Sequence, residues 1–386
     1  MIYNTDARKL HKSGEVALRE FQLGKHSLDE RLALFNYITI IYPAIADIRG
    51  TRSKFTPKSI ITGKKRDLSF LNLHNKYSEG VPEIFIRDKE FHSDYIADVF
   101  VGVTNRIFDI KETEYSLDDL FKRKEYFDVF YLFMQSLGLE KLFLNLVNNG
   151  QIYGVGDSLE ENSAGYTIFN PFTHESFVFI NFFDYSVDSM FTLAHEIGHV
   201  YDFDNFSENI KKNNIYQYQS LYKEVISRLF ERLFVDYMLR NDIKSKAVID
   251  ILFDMESNNY DFLSSSYVFS LLDSEYIRYD RYKTLSSDEL ASLIKKGFKG
   301  YKKARNFLEE GMSLDLDEDL TYFYGDIISM FLFERIKEDN YSLDSLKLFF
   351  EKCHGLFDVD SFMSVAGSSD KYLELYKKET KILVKK

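Results

Sequence analysis

Two histidines and a glutamate within five residues carry the most specific chemistry in this chain. The run FTLAHEIGHVYDF, residues 191–203, contains His195-Glu196-x-x-His199. On an α-helix, residues i and i+4 share a face, so both imidazoles can reach one cation. Zinc is the metal that mixed His and carboxylate donors suit, and bound zinc lowers the pKa of its water to about 7. Glu196, next to the first imidazole, is placed to take the proton of such a water. The flanks support a helix: Asp188 stands near its start, no proline interrupts it, and Met190, Phe191, Leu193 and Ile197 can face inward. Apolar flanks imply partly buried histidines, and buried polar groups need partners.

A catalytic zinc takes three protein ligands and leaves a position open to water. A third His six residues after His199 is excluded, because position 205 is Asn205. Carboxylates remain. Residues 217–240, QYQSLYKEVISRLFERLFVDYMLR, read as a helix that carries Glu224, 25 residues after His199, and Glu231, 32 after. Seven residues apart, the two share a face. Spacing leaves both open as ligands, and either could instead be a helix-surface carboxylate paired with Arg228 or Arg232. A purely structural zinc site would want four closed Cys or His ligands, a set this sequence does not provide.

The elements that must position these groups are mostly helical. Residues 28–48 open on Ser-Leu-Asp-Glu and continue with apolar residues at helical spacing, and residues 116–148 do the same behind Ser116. Residues 151–183 differ, being rich in β-branched and aromatic residues. They predict two strands, 164–170 and 176–182, joined by the turn Asn170-Pro171-Phe172-Thr173. Helix resumes near Ser186 and dominates to the end. Residues 50–68, polar and basic, read as a loop and a mobile surface segment, and residues 309–318 as an acidic loop before another helix.

Composition narrows the function classes. The 386 residues suffice for one large or two medium domains, with hydrophobic residues at 45% and charged at 28%. The four prolines favour long uninterrupted helices. A net charge of −12 argues against nucleic acid and anionic membranes as partners. The one cysteine, Cys353, forms no intramolecular disulfide, so no oxidising compartment is needed. The polar start MIYNTDARKLHKSGEV lacks the apolar core of a signal peptide, and no stretch approaches the roughly 20 apolar residues of a membrane span. The expected location is cytoplasmic.

The motif, the strand pair before it and Glu224-x-x-Ser227-x-x-x-Glu231 after it together resemble the thimet oligopeptidase and oligoendopeptidase F family of zinc metallopeptidases. Gly198 supplies the glycine of that family's His-Glu-x-Gly-His core, and SLGLEKL, residues 136–142, is similar to a Leu-Gly-Leu segment upstream of it. The resemblance runs from about residue 125 to 335. It implies one Zn2+ on His195, His199 and Glu224, with Glu196 as general base and a peptide as substrate. It implies that Ala164-Gly165-Tyr166 lies at a sheet edge against which an extended peptide pairs, and that Tyr322 or Tyr324 hydrogen-bonds the oxyanion. The implied fold is mostly α, a zincin-like metallopeptidase catalytic core over residues 125–386 with a small β-sheet beside the His-Glu-x-x-His helix. Residues 1–124 would be a reduced N-terminal helical region.

Departures from the pattern are specific. Asp202 stands where the family has a His three residues after the second zinc ligand, and Val225-Ile226 replaces its proline-containing spacer. Residues 312–321 hold no His, so one transition-state donor of the family is missing. The region before the motif is shorter than in typical members, which implies a more open cleft or a different cover. The missing His and the shorter region motivate a competing expectation, a peptide-binding or regulatory protein on a zincin scaffold with little or no turnover. The intact Glu196 weighs against it.

Overall fold

The computed structural model describes residues 6–50, 89–107, 110, 119–154, 164–170, 172–180, 185–205, 223–274, 316–353 and 365–384. The expected loop beyond Gly50, the cap at Ser116 and most of the acidic segment 309–318 lie outside these residues.

The chain begins with two paired helices, α1 (Arg8–Leu23) and α2 (Leu28–Ile48). The Ser-x-x-Glu start of α2 forms a capping box. The Ser27 hydroxyl accepts from Glu30 N at 3.2 Å, and Glu30 Oε2 accepts from Ser27 N at 2.9 Å. Within α2, Glu30–Ile48 is, by length and composition, apolar enough to cross a membrane, with 19 residues and a mean hydropathy of 1.2. This corrects the expectation that no stretch comes near a span. Its apolar side chains Leu32, Leu34, Phe35, Ile38 and Ile41 are buried with α1 and the sheet.

Helix α3 (Lys89–Ile107) follows, then α4 (Arg123–Ser136) and α5 (Glu140–Asn148). The single helix expected over 116–148 is thus two. Gly138, at φ +71°, takes the left-handed conformation that ends α4. Leu139 N and Gly138 N turn back to Met134 O and Gln135 O, at 2.9 and 3.0 Å.

Three strands come next: β1 (Ile152–Gly154), β2 (Gly165–Phe169) and β3 (Ser176–Ile180). Their order is β1-β3-β2. Strand β1 runs parallel to β3 and β2 antiparallel to it, with Gly165 opposite Ile180 and Phe169 opposite Ser176. The two expected strands are present, β2 one residue shorter at each end and β3 over 176–180 with 181–182 outside the described residues, and β1 is an addition. The turn between β2 and β3 is organised by Asn170, whose Oδ1 accepts from Phe172 N and Thr173 N at 2.8 and 3.1 Å.

The remaining helices are α6 (Val187–Asn205), α7 (Val225–Arg240), α8 (Ser245–Ser274), α9 (Leu316–Glu338), α10 (Lys347–Cys353) and α11 (Ser369–Glu379). Short 3-10 turns at Leu343–Leu346 and Thr380–Leu383 complete the described elements. Two cores result. The larger joins α3, α4, α6, α7, α8, α9 and α11; the smaller joins α1, α2 and the outward face of the sheet, including Tyr153, Ile168, Phe177 and Phe179. The sheet is therefore a layer between α1–α2 and α6. The period of two divides β2 accordingly. Ile168 joins the smaller core, while Phe169 stacks on Phe203 of α6 with ring centroids 3.5 Å apart.

Helices α6 and α7 meet at backbone distance. A Cβ added to Gly198 would stand 2.6 Å from Ser227 Cα and 2.9 Å from Ile226 O. Neither neighbour is a flexible side-chain end, so the helices would have to separate. Gly198→Ala is expected to destabilise the protein by about 1–3 kcal/mol, as overpacking does. Urea unfolding checks this, and an unchanged midpoint would refute the packing account.

Candidate metal centre

Helix α6 starts at Ser186, whose hydroxyl accepts from Ser189 N at 3.0 Å. Met190, Leu193 and Ile197 are fully buried in the larger core, and Phe191 is half-buried against it. That anchoring turns His195 and His199 toward α7 and Glu196 toward β2. Helix α7 begins at Val225, later than the helix expected over 217–240, and residues 217–222 lie outside the described ones. Glu224 is therefore the residue at its N-cap, where the helix dipole favours a carboxylate.

The three residues converge. His199 Nε2 lies 3.2 Å from His195 Nε2, and Glu224 Oε2 lies 3.4 Å from each of them. Ligand atoms about 2.0–2.1 Å from a tetrahedral zinc stand roughly 3.3 Å apart. The triangle thus has the edge length that a zinc ion requires, and two imidazoles with one carboxylate are a donor set zinc accepts. Among the described residues this is the one group of His, Cys, Asp and Glu that could hold a metal ion. Three donor groups that face one another, two of them buried and His195 partly so, also need a cation or protons between them.

The ring around this triangle is also built. Glu231, the other carboxylate that spacing left open, does not join it. Its Oε1 is 2.7 Å from His195 Nδ1, on the far side of the ring. A carboxylate there orients the imidazole and fixes its tautomer, so that Nε2 presents a lone pair. The other oxygen of Glu231 accepts from Arg228 Nη1 at 2.6 Å. Ser227 Oγ donates to Glu224 Oε2 at 3.0 Å and is equally near Glu224 O. Gly325 of α9 closes the other side: a Cβ there would lie 2.9 Å from Glu224 Cβ.

Glu196 is buried, and its carboxylate is held by Thr167 of β2, whose hydroxyl donates to Oε2 at 2.7 Å. Nothing in the motif announces Thr167. The signal was there in β2, where positions 165, 167 and 169 form the face turned to α6. A Cβ on Gly165 would meet Thr192 Cγ2 of α6 at 2.8 Å. Burial raises the Glu196 pKa, against the lowering effect of both imidazoles and of Thr167. Burial also favours neutral His195, but hydrogen bonds to Glu224 and Glu231 outweigh it and hold its pKa well above the ordinary value. Glu224 is pushed well down: burial opposes this, and His199 and His195 overcome it. Asp202 is pushed well up, by burial first and then by the charge of Glu224.

The remaining expected residues are elsewhere. Ala164 is exposed just before β2, and Gly165 and Tyr166 lie in β2, one of the two outer strands of the sheet among the described residues. Tyr166 stacks on Phe179 with centroids 4.7 Å apart. Tyr324 is completely buried in the larger core. Tyr322 is half-buried, stacks on Phe262 at 4.7 Å, and has the Arg228 guanidinium 5.9 Å from its ring centre.

No protein-family model matches the sequence, and no curated protein does. Solved structures do. A crystal structure of a protein from Bacillus anthracis assigned as an oligoendopeptidase F superposes with a TM-score of 0.52 at 14% identity, over 92% of this chain and 63% of that one. The chain has the oligoendopeptidase F fold. It spans less than two thirds of the length of that oligoendopeptidase. Pz peptidase A, solved with an inhibitor, superposes over 99% of this chain and 70% of its own at 13% identity and a TM-score of 0.47. The fold assignment rests on the first of these. The mostly helical architecture and small mixed sheet agree with the sequence expectation.

Asp202 sets a pH signature for the metal-free protein. A carboxyl whose folded pKa exceeds its unfolded value costs nothing below pH about 4. The cost grows as pH rises from the unfolded to the folded pKa and then stays. Asp202→Asn is therefore expected to leave stability unchanged at pH 4 and to raise it at pH 7. Urea unfolding at both pH values decides this, and a variant no more stable at pH 7 would reject it.

Proposed function

We propose that this chain is a zinc-dependent endopeptidase acting on oligopeptides. The observation that carries this reading is the triangle of His195 Nε2, His199 Nε2 and Glu224 Oε2, with edges of 3.2, 3.4 and 3.4 Å, beside a buried Glu196. A Zn2+ ion held by these three residues would polarise a scissile carbonyl and acidify a water. Thr167 occupies Glu196 Oε2, so Oε1 is the atom that takes the proton of the attacking water and later returns it to the leaving amine. Glu231 keeps His195 in the tautomer that ligates. An extended peptide would lie along Ala164, Gly165 and Tyr166 at the start of β2, the recognition mode in which a peptide adds as a strand. Tyr322, half-buried where Tyr324 is wholly enclosed, is the better of the two candidates to donate a hydrogen bond to the oxyanion.

The missing His in residues 312–321 and the shorter region before the motif keep a peptide-binding protein of little turnover as the second reading. One set of samples separates the two. Wild type, Glu196→Gln and Glu224→Ala are assayed together for zinc content and for cleavage of a peptide mixture. Wild type is expected to hold about one zinc and to cut peptides. Glu196→Gln should keep the zinc and lose at least about 100-fold in rate, and Glu224→Ala should lose the zinc. Zinc without cleavage in wild type would transfer the assignment to the binding protein, and wild type without zinc would end both.

A further inference from the structure

Behind the metal centre, on the side away from β2, lies a buried ladder of charge that the reaction does not use. Arg228 and Arg232 of α7 are 6% and 2% exposed. Arg228 donates to Glu231 Oε2 at 2.6 Å through Nη1, and through Nη2 to Asn259 Oδ1 of α8. Asn259 Nδ2 in turn donates to Asp326 Oδ1 of α9 at 2.8 Å. Asp326 also receives Arg232 Nη2 and, at 2.8 Å, the hydroxyl of Tyr372 from α11. Arg232 further donates to Ser329 Oγ at 3.1 Å and to Glu379 at the end of α11. Three helices beyond α7 thus hold the two guanidinium groups.

We infer that Arg228 is a positioning residue for the metal centre, and that Asn259 and Asp326, which hold Arg228, tune zinc affinity through it. The inference rests on the metal reading proposed above. Glu231 is 4% exposed and has two oxygens, one for His195 Nδ1 and one for Arg228. With both occupied by charge-assisted or ionic contacts, the carboxylate has one orientation. Without Arg228, the oxygen facing it would be buried beside no donor, and the carboxylate would rotate or draw water to satisfy it. His195 would then lose the fixed partner that aims its Nε2 at the ion. Partners of metal ligands of this kind change metal affinity by about 10–100-fold when replaced. Arg228 itself needs a guanidinium: its two Nη atoms address two different helices, which the single ammonium of lysine cannot do.

The test is zinc affinity, measured by competition with a chelator, on full-length wild type, Arg228→Met, Arg228→Lys and Asn259→Leu. Urea unfolding of the same proteins without metal reports fold and stability separately. Arg228→Met keeps length and apolar stem and removes the charge. It is expected to weaken zinc binding about 10–100-fold, with Arg228→Lys recovering part of the loss and Asn259→Leu weakening binding by a smaller factor. A residue that served only stability would lower the urea midpoint and leave zinc affinity within about threefold for every variant that folds; that result overturns the inference. If Arg228→Met does not fold, Arg228→Lys and Asn259→Leu decide on the same criterion. Wild type that binds no zinc overturns the metal reading and this inference together. Wild type that binds zinc beside variants that bind it equally well overturns the inference alone.

Discussion

Glu224 can lie 3.4 Å from both imidazoles only because two helices touch where no side chain intervenes. Gly198 brings α6 against the first turn of α7, and Gly325 brings α9 against Glu224 from the opposite side. An ordinary helix pair stands 8–10 Å apart, axis to axis, and side chains at either position would wedge this one open. The rest of the site depends on that approach. It sets which turn of α7 faces His195 and His199. It also sends Glu224 to one nitrogen of His195 and Glu231, two turns on, to the other. Ser227 then lies between them, close enough to hold Glu224.

So close a contact buries charge, and the fold answers by pairing it. Burying an unpaired ion in a helical core would cost more than a domain of this size can spare. Every acid near the triangle therefore meets a cation, a hydroxyl or a ring nitrogen, or is driven toward its neutral form. Glu256, 1% exposed, takes the second course: burial, then the charges of Glu379 and Asp326, push its pKa well up. A buried ion pair is weak evidence for stability in itself. Here it draws α8, α9 and α11 onto the back of α7, behind the candidate metal group, whose three residues all come from α6 and the start of α7.

The sheet plays the corresponding part on the other side. It carries Thr167 to Glu196 on one face and packs α1 and α2 on the other. The two layers are tied at the β2–β3 turn, where Asn170 Nδ2 donates to Ser13 Oγ at 2.6 Å and Ser13 shares a hydrogen bond with Tyr37 at 2.8 Å. The N-terminal helices thus brace the strand that holds Glu196. Gly165 and Tyr166 of the expected substrate edge lie on the same five-residue strand as Thr167, which anchors Glu196.

Local pattern was enough to read much of this. The spacing of His195, Glu196 and His199 put the donors on one helix, and Ser27 with Glu30 marked the start of α2 to the residue. The β-branched run 164–182 marked the hairpin, because capping and periodicity act within a few residues of chain. The same local reasoning merged α4 and α5, since the left-handed turn at Gly138 leaves the apolar periodicity on both sides intact. It placed Glu224 inside a helix that begins one residue later. It left Glu224 and Glu231 as rivals, and only the resemblance chose between them. Tertiary structure alone placed Glu224 and Glu231 at opposite nitrogens of His195, Thr167 on Glu196, and Arg228, Asn259 and Asp326 in one run of contacts behind Glu231. Those placements depend on contacts between residues up to 98 positions apart, such as Arg228 and Asp326 at 3.8 Å. Such contacts follow from how helices pack, and no period along the chain encodes them.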